Sequence, residues 1–527
     1  MEAVRDFSKI HGEKCWEPVE RVAPCENACP AGINIPGFIM ALAKEQMGEA
    51  LKIIRESIPI PGTLGRICNH PCEEVCNRGV IDEPIGVMRL KRFAHEMGMS
   101  ENSAEEETEK PEGPKIAIIG SGPAGLTAGY FLNRQGYRVT VFEAGTNPGG
   151  MLSNAIPEFI LPRQVIGSEI EFLERRGLEI KTGIKVGRNI DVEDIWHKDF
   201  KAILMATGTQ ESLMLNLPGS DLKGILPALG FLRESRQGAK KHLRGKVVVI
   251  GGGNVAVDAA RVALRQGAAQ VDLACLESRD EMPAFPWEVE ECEREGVRIH
   301  NALAPRQFLP KGARGYGRAM GSIEFQRVKT LKVGPDGELS WDLAEGPGAK
   351  LTIEADRVII AVGQKANLDF IGETQVGRDK KGALLIEPET LMTSQQGIFS
   401  AGDVISGGGT AVEAVAAGRK AAVSIDAYLR GNKKVSRPAL KQAEDVFKLE
   451  KKMVPSFFEM KPRWAEVRIP PENRVRSFEE IDLGYTPTQA IEEARRCLNC
   501  KMCGSCMFER GQICFDQASR LLFDSRA

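Results

Sequence analysis

No stretch of this 527-residue chain approaches the ~20 consecutive apolar residues of a bilayer span, and its first twenty residues, MEAVRDFSKIHGEKCWEPVE, contain no apolar core for a secretory signal. A cytoplasmic protein with no membrane span is expected. An excess of charge is missing too. Lys plus Arg number 70 and Asp plus Glu 72, a formal net charge of -2, so the balance provides no nucleic-acid track and no attraction to an anionic membrane surface. Cysteine is nearly absent from the middle: of 13, all but Cys275 and Cys292 lie before residue 77 or after residue 496. In a reducing compartment such a set points to metal or redox chemistry rather than a disulfide framework.

The length allows several domains, each with a real core. Cysteines and charged helical stretches fill residues 1–96, and SENSAEEETEKPEGP, within 97–114, has the composition of an exposed linker. A near-repeat follows. KIAIIGSGPAGLTAGYFLNRQG (115–136) and KVVVIGGGNVAVDAARVALRQG (246–267) match at a constant offset of 131, each an apolar strand, a glycine turn and an alanine-rich helix closed by Gly136 or Gly267. Further apolar segments, KAILMATG, RVIIAVG and GIFSAGDV, read as strands ending at glycine turns. The expected organisation is a discontinuous dinucleotide-binding unit over 115–240 and 355–430, a second dinucleotide-binding unit inserted over 241–354, an extended strap over 431–483, and a cysteine segment over 484–527. Within that last segment a helix starts at Thr486 as N-cap, with Pro487 in the first turn and Gln489 at the capping-box position.

A dinucleotide pyrophosphate needs backbone N–H groups at a helix N-terminus and no side chains in the way, which is the use of Gly120, Gly122 and Gly125, with Pro123 and Ala124 between, directly after a strand. Glu143 closes the next strand, VTVFE, where a carboxylate can accept from ribose hydroxyls. The second turn carries Gly251 and Gly253, then Asn254 and Val255, with Ala256 in the third glycine position. Glu277 closes its following strand and favours a free 2'-hydroxyl, which leans the reading to NADH, while Arg279 is the residue that could hold a 2'-phosphate of NADPH instead.

The segments GSGPAGL, NPGGMLSNAIPEFILPR, GIFSAGDV and GGGTAVEAVAAGRKAA are similar to flavin-dependent pyridine nucleotide oxidoreductases, and specifically to the glutamate synthase small-subunit family. The resemblance implies an α/β fold with two Rossmann-like dinucleotide-binding domains in a disulfide-reductase-like FAD/NAD(P) architecture, an N-terminal helical iron–sulfur domain and a C-terminal cluster-binding tail. It places FAD in the first fold and NAD(P)H in the second. Gly149, Gly150 and Met151 would line the flavin side with Gly208, Gly402 and Asp403, and Thr410 and Ala411 would begin a helix aimed at the isoalloxazine edge. That direction is physically apt, because a helix N-terminus favours the negative charge a reduced flavin gathers there. Gly363 joins Asn254 and Val255 on the NAD(P) side. Disulfide reductases of this architecture place a cysteine pair beside the flavin, yet no cysteine lies between Cys76 and Cys275. Electrons are expected to leave by the terminal cysteines instead, with Cys275 and Cys292 as ordinary buried thiols.

The N-terminal set is Cys25, Cys29, Cys68, Cys72 and Cys76, in CENACPAGINIPGFI and GRICNHPCEEVCNRG. Soft thiolates at these spacings select an iron–sulfur cluster or zinc. The wording resembles the cluster-binding domain ahead of FAD in the glutamate synthase small subunit and in dihydropyrimidine dehydrogenase, which implies 4Fe-4S. The family pattern groups Cys29, Cys68 and Cys72, with Cys25 and Cys76 in a second cluster completed by an upstream CxxC; here only Cys15 precedes Cys25. The C-terminal set is Cys497, Cys500, Cys503, Cys506 and Cys514, opening with EARRCLNC. The favoured assignment is an independent cluster on Cys500, Cys503, Cys506 and Cys514, with Cys497 spare or shared. The sharper alternative has Cys497 and Cys500 reaching back to Cys25 and Cys76. Two clusters, or three, are expected.

Together these readings describe an NAD(P)H:acceptor oxidoreductase subunit. It passes hydride between nicotinamide and flavin N5, then single electrons through clusters to or from a partner protein: a glutamate synthase large subunit, a ferredoxin, or a metal-dependent aldehyde- or formate-type oxidoreductase. No side chain is expected to act as a catalytic proton carrier, and a hetero-oligomer is implied. The alternative is a wiring subunit of a larger redox complex with no nicotinamide turnover of its own.

Overall fold

The computed structural model describes residues 22–101, 111–239, 243–312, 319–334, 338–372, 374, 376–379, 382–432, 446, 448–449, 451 and 460–500. The first nucleotide fold is a parallel sheet in the spatial order Ile398–Ser400, Phe200–Met205, Lys115–Ile119, Arg138–Phe142 and Glu179–Lys181. Its central strands are short runs such as KIAII, buried along nearly their whole length because helices cover both faces. Helix Pro123–Arg134 leaves the central strand through the glycine turn and packs against helix Ala411–Leu429. A Cβ on Gly418 of the second helix would collide with the backbone carbonyl of Ala124 on the first, so two helices meet here at backbone distance.

The repeat reproduces that plan. Strand Lys246–Ile250 and helix Asn254–Arg265 occupy the positions of Lys115–Ile119 and Pro123–Arg134, within a parallel sheet ordered Ile225–Pro227, Arg357–Ile360, Lys246–Ile250, Gln270–Ala274 and Arg298–His300. This corrects the expected boundaries. Ile225–Pro227 and Arg357–Ile360 belong to the second sheet, not to the FAD unit, because Arg357–Ile360 pairs in parallel with Val247–Ile250. Three or four apolar residues read the same for either sheet. Strands Leu303–Pro310, Met320–Val333, Leu339–Leu343 and Lys350–Glu354 form an antiparallel layer, and its buried Phe308, Ile323 and Phe325 pack on Val248, Val358 and Ile360.

The N-terminal domain is helical, with Ile35–Ala43, Met47–Arg55, Pro61–Ile67 and Val87–Glu101 as its main elements; the last runs on past residue 96 into the expected linker. Helix Pro487–Arg495 carries the predicted Thr486/Gln489 capping box. It packs on Ile35–Ala43 and Val87–Glu101, burying Ala490 and Ala494 in the core shared by the N-terminal domain and the first nucleotide fold. Over residues 460–483 the strap carries one short helix, Pro471–Arg474, and an isolated antiparallel bridge between Arg468 and Asp482. Its charges tie three units together. Arg474 pairs with Glu291 and Glu295 on the second fold, Glu480 and Asp482 pair with Arg66, Arg89 and Arg92 on the N-terminal domain, and Ile481 N–H donates to the Phe159 carbonyl. Among the described residues no helix is long and apolar enough to cross a membrane.

Candidate redox site

The glycine turn after Lys115–Ile119 opens on a cavity of about 890 Å3 lined by Gly120, Gly122, Pro123, Ala124, Glu143, Gly150, Met151, Gly208, Gly402, Asp403, Thr410 and Ala411. Gly125 and Gly149 are not in that lining. Gly125 instead holds the turn closed, since a Cβ there would collide with the Gly120 carbonyl, and Gly149 lies beneath, its N–H donating to Ser121 Oγ at 3.0 Å. At Gly122 a Cβ would meet nothing within 4 Å: the turn faces open space, as a phosphate-binding turn must. Gly150, at φ +59, sits so close that its Cβ would come 2.8 Å from Gly122 Cα. Glu143 accepts from Ser121 N–H at 3.1 Å, Ser121 Oγ at 2.5 Å and Gly145 N–H at 2.7 Å, which fixes a carboxylate at the rim. Thr207 borders the cavity with a buried hydroxyl that has no hydrogen-bond partner among the described residues, a polar group waiting for a ligand. At the far end Thr410 caps helix Ala411–Leu429, its hydroxyl accepting from Glu413 N–H at 3.3 Å and Glu413 accepting from Thr410 N–H at 2.7 Å. Burial, and then the charge of Glu413, raises the Asp403 carboxyl to about 6.

The second turn is built alike. A Cβ on Gly253 would meet nothing within 4 Å, and Ala256 is fully buried against the strand. Glu277 is buried with its carboxylate beside the turn, so that a Cβ on Gly252 would come 2.6 Å from its Oε2. Arg279 is drawn away to Glu293, at 2.6 Å and 3.1 Å. Gly251, at φ +143, packs against the Ala361 carbonyl, and Gly363, at φ +120, turns the chain beyond strand Arg357–Ile360. A second cleft of about 560 Å3 joins the two folds. Its walls include Met151, Asp403, Thr410 and Ala411 from the flavin side, Asn254 and Val255 from the second fold, Gln364 from the two-stranded ribbon it forms with Glu211–Ser212, and Cys68 and His70 from the N-terminal domain.

The cysteines form two groups. Cys29, Cys68 and Cys72 are buried; burial raises Cys29 and Cys72, and the Lys91 ammonium acts on both in the opposite sense. Cys25 is raised by burial and then by Cys497, Cys500, Cys76 and Cys72 in that order, so it lies within electrostatic reach of all four. Burial raises Cys500 to about 11 against a bond from Asn77 Nδ2 at 3.4 Å. What ties the segment before Cys497 to the N-terminal domain is Arg496: it pairs with Asp82 at 2.9 Å and Glu493 at 2.8 Å, and donates to the carbonyls of Lys461 at 2.9 Å and Glu83 at 2.7 Å. Cys500, expected in a separate C-terminal set, is held against the N-terminal domain by the bond from Asn77 and by the docking of the helix that precedes it. Cys503, Cys506 and Cys514 lie outside the described residues. Among the described residues no three His, Cys, Asp or Glu side chains converge as a single-ion site. A four-iron cluster spaces its sulfur ligands more widely than one ion does, and thiols raised by burial would lose their protons only to a bound centre that supplies positive charge.

Residues 114–418 match the pyridine nucleotide-disulphide oxidoreductase family, and residues 9–103 match the family described as dihydropyrimidine dehydrogenase domain II, 4Fe-4S cluster. The chain belongs to the pyridine nucleotide-disulphide oxidoreductase family. It is 38% identical over 515 residues to the NADP(+)-dependent formate dehydrogenase subunit beta of Moorella thermoacetica, covering 92% of this chain and 71% of that one. It is 33% identical to the NADPH-Fe(3+) oxidoreductase subunit beta of Geobacter sulfurreducens, over 91% and 75% of the two chains, and 31% identical to the Escherichia coli glutamate synthase [NADPH] small chain, over 77% and 88%. The fold is shared with Mycobacterium tuberculosis FprA in complex with NADPH at a TM-score of 0.51 and 18% identity, covering 61% of this chain and 85% of that one. The chain is thus a flavin-dependent oxidoreductase with an N-terminal 4Fe-4S domain, of the glutamate synthase small-chain kind, and it transfers electrons from or to NAD(P)(H).

For a member of this oxidoreductase family the departure lies in the thiols. The described cysteines are all free, and Cys275 and Cys292 are each buried and pushed up to about 12, chiefly by burial, which makes them inert. Sequence reasoning missed Ser121, Thr207, Glu413 and Lys91. A hydroxyl inside GSG was a usable signal for the first, and a capping-box Glu three residues after Thr410 for the third; nothing in the sequence marked Thr207 or Lys91.

Proposed function

We propose that this chain is the NADH-dependent electron-distributing subunit of a redox enzyme whose substrate chemistry resides on a separate polypeptide. The observation that carries the reading is the shared cleft: one cavity touches Thr410 at the flavin side, Asn254 at the start of the nucleotide helix, and Cys68 of the iron–sulfur domain. FAD and 4Fe-4S clusters, held there, provide the exchange between two-electron and one-electron carriers. The chain's own part is to cradle, orient and exclude. The turn at Gly120–Gly125 and the open face of Gly122 would receive a pyrophosphate, with Glu143, Gly150, Met151, Gly208, Gly402 and Asp403 around the remainder of FAD and Gly149 supporting them from beneath through Ser121. The N-terminus of helix Ala411–Leu429 presents its positive end to the flavin edge. Gly251, Gly253, Asn254, Val255 and Ala256 hold the nicotinamide dinucleotide. Glu277 beside Gly252, with Arg279 engaged by Glu293, favours a free 2'-hydroxyl and repels a 2'-phosphate.

Cys25, Cys76, Cys497 and Cys500 are proposed as one cluster's ligands, and Cys29, Cys68 and Cys72 as three ligands of another. The partner fitting the relatives' names is a catalytic subunit, such as a formate-type enzyme or a glutamate synthase large chain. Anaerobic titration of the flavin absorbance tests the nicotinamide reading. NADH bleaches it at least tenfold more effectively than NADPH, and Glu277→Arg reverses the order. Bleaching by neither nucleotide overturns the function, and preference for NADPH in the wild type overturns the role of Glu277.

A further inference from the structure

Helix Pro286–Arg294 of the nucleotide fold carries Trp287 in its first turn, and this ring stands between two others. It stacks on Phe285 at 4.8 Å and 8°, and on His70 of the iron–sulfur domain at 4.6 Å and 29°. Each end of the stack is tied to a site. Phe285 N–H donates to Asn254 Oδ1 at 3.0 Å, and Ala284 N–H donates to the Gly252 carbonyl at 3.0 Å, so the segment hangs from the nucleotide turn itself. His70 lies in the loop between Cys68 and Cys72, and its N–H donates to Cys68 Sγ at 3.4 Å. Its backbone is left-handed, at φ +40, a conformation that costs a non-glycine residue energy and persists only where neighbours hold it. Its Nδ1 is buried with no hydrogen-bond partner among the described residues, and the stack on Trp287 covers the ring.

We propose that Trp287 is a positioning residue that couples occupancy of the nucleotide turn to the reduction potential of the cluster held by Cys29, Cys68 and Cys72. The inference rests on the two ligand assignments proposed above. Phosphate binding at Gly253 and Asn254 loads the residues from which the 284–287 segment is suspended. Trp287 carries that displacement across the domain boundary to His70. An N–H bond to a cluster sulfur is one of the levers that set such a potential, so moving His70 moves the potential. The coupling is reciprocal: a nucleotide that shifts the cluster is itself bound differently by the oxidised and reduced forms.

The test uses the full-length holoprotein and ADP-ribose, which fills the turn and carries no reducible ring. Cluster reduction is followed by electron paramagnetic resonance in anaerobic redox titrations, and binding by thermal shift. Saturating ADP-ribose changes the ratio of reduced to oxidised cluster at fixed potential about fivefold in the wild type, equivalent to a midpoint shift of about 40 mV. Trp287→Ala binds ADP-ribose without the shift, and Trp287→Phe, which keeps a ring in the stack, retains it. A wild-type midpoint that is unchanged while ADP-ribose binds overturns the proposal, as does a full shift in Trp287→Ala. Absence of ADP-ribose binding to the wild type would instead sink the nucleotide assignment and, with it, the coupling.

Discussion

Replacing Arg496 by Met should cost the protein one iron–sulfur cluster while leaving FAD in place. Arg496 is buried between chain ends, and its partners are buried as well: the Glu493 side chain is 0% exposed and that of Asp82 6%. Arg78 also pairs with Asp82 and donates to the Arg496 carbonyl at 3.2 Å, but Glu493 keeps no other cation at hydrogen-bonding distance among the described residues. Removing one member of a buried ionic pair costs about 3–5 kcal/mol. At about 1.4 kcal/mol per tenfold, the docking of helix Pro487–Arg495 weakens by more than about a hundredfold. The assay is iron and acid-labile sulfide per FAD after desalting, together with the reduced-state resonance spectrum. About four irons per FAD are lost, and one cluster signal disappears. Cys497→Ser gives the same loss without disturbing the docking. Arg496→Lys, which keeps the charge but not the planar fork, falls between wild type and Met. Unchanged iron and an unchanged spectrum in Arg496→Met would refute the link between docking and cluster assembly. Loss in Arg496→Met with full iron in Cys497→Ser would leave the docking intact as a requirement and remove Cys497 from the ligands.

Gly418→Ala forces helix Ala411–Leu429 off the Ala124 carbonyl, and so off the first glycine turn; the purified variant is expected to carry less FAD, read from the ratio of flavin to protein absorbance, and full occupancy would contradict the close-packing argument. Burial lifts Glu169 to about 7 against the bonds from Thr63 and Gly62, so the folded chain keeps a proton that the unfolded chain sheds above about 4.5. Its contribution to stability therefore falls as pH rises from about 4.5 to 7 and is flat beyond. Glu169→Gln should lack that segment of the Tm–pH profile, and equal slopes in both proteins would rule the assignment out. Cys292→Ala should leave iron content and NADH-dependent bleaching unchanged at a cost of about 1–2 kcal/mol in stability, and loss of either property would reopen the question of a thiol relay.

Much of the nucleotide machinery was legible because it follows from backbone rules. The two strand–turn–helix units repeat at a fixed offset, their glycines are needed where phosphate approaches, and a carboxylate closes each second strand. Sheet membership was not legible for Ile225–Pro227 and Arg357–Ile360, since so short an apolar run carries no mark of its neighbours. EEARR reads as the end of the helix that leads into the last cysteines, with nothing to mark burial, yet Glu493 and Arg496 are buried against residues some four hundred positions earlier. The sequence hinted at that long-range pairing only through cysteines too few for their pattern at one end. The Phe285–Trp287–His70 stack left no trace in PAFPWE, because two aromatics at that spacing have no periodicity to distinguish a bridge from a surface patch.

The docking of helix Pro487–Arg495 has a consequence for biosynthesis. Helices Ile35–Ala43 and Val87–Glu101 leave the ribosome long before the helix that covers them, and at cellular elongation rates the interval is about 20–80 s. Through that interval Ala490 and Ala494 have yet to be made, and the apolar seat they will fill faces solvent or a chaperone. A polypeptide cut short anywhere in the nucleotide folds could still collapse around them but would never acquire this lid. Packing of the N-terminal helices thus waits on synthesis of residues 487–495, and a chain that lacks them keeps that apolar seat uncovered by this helix.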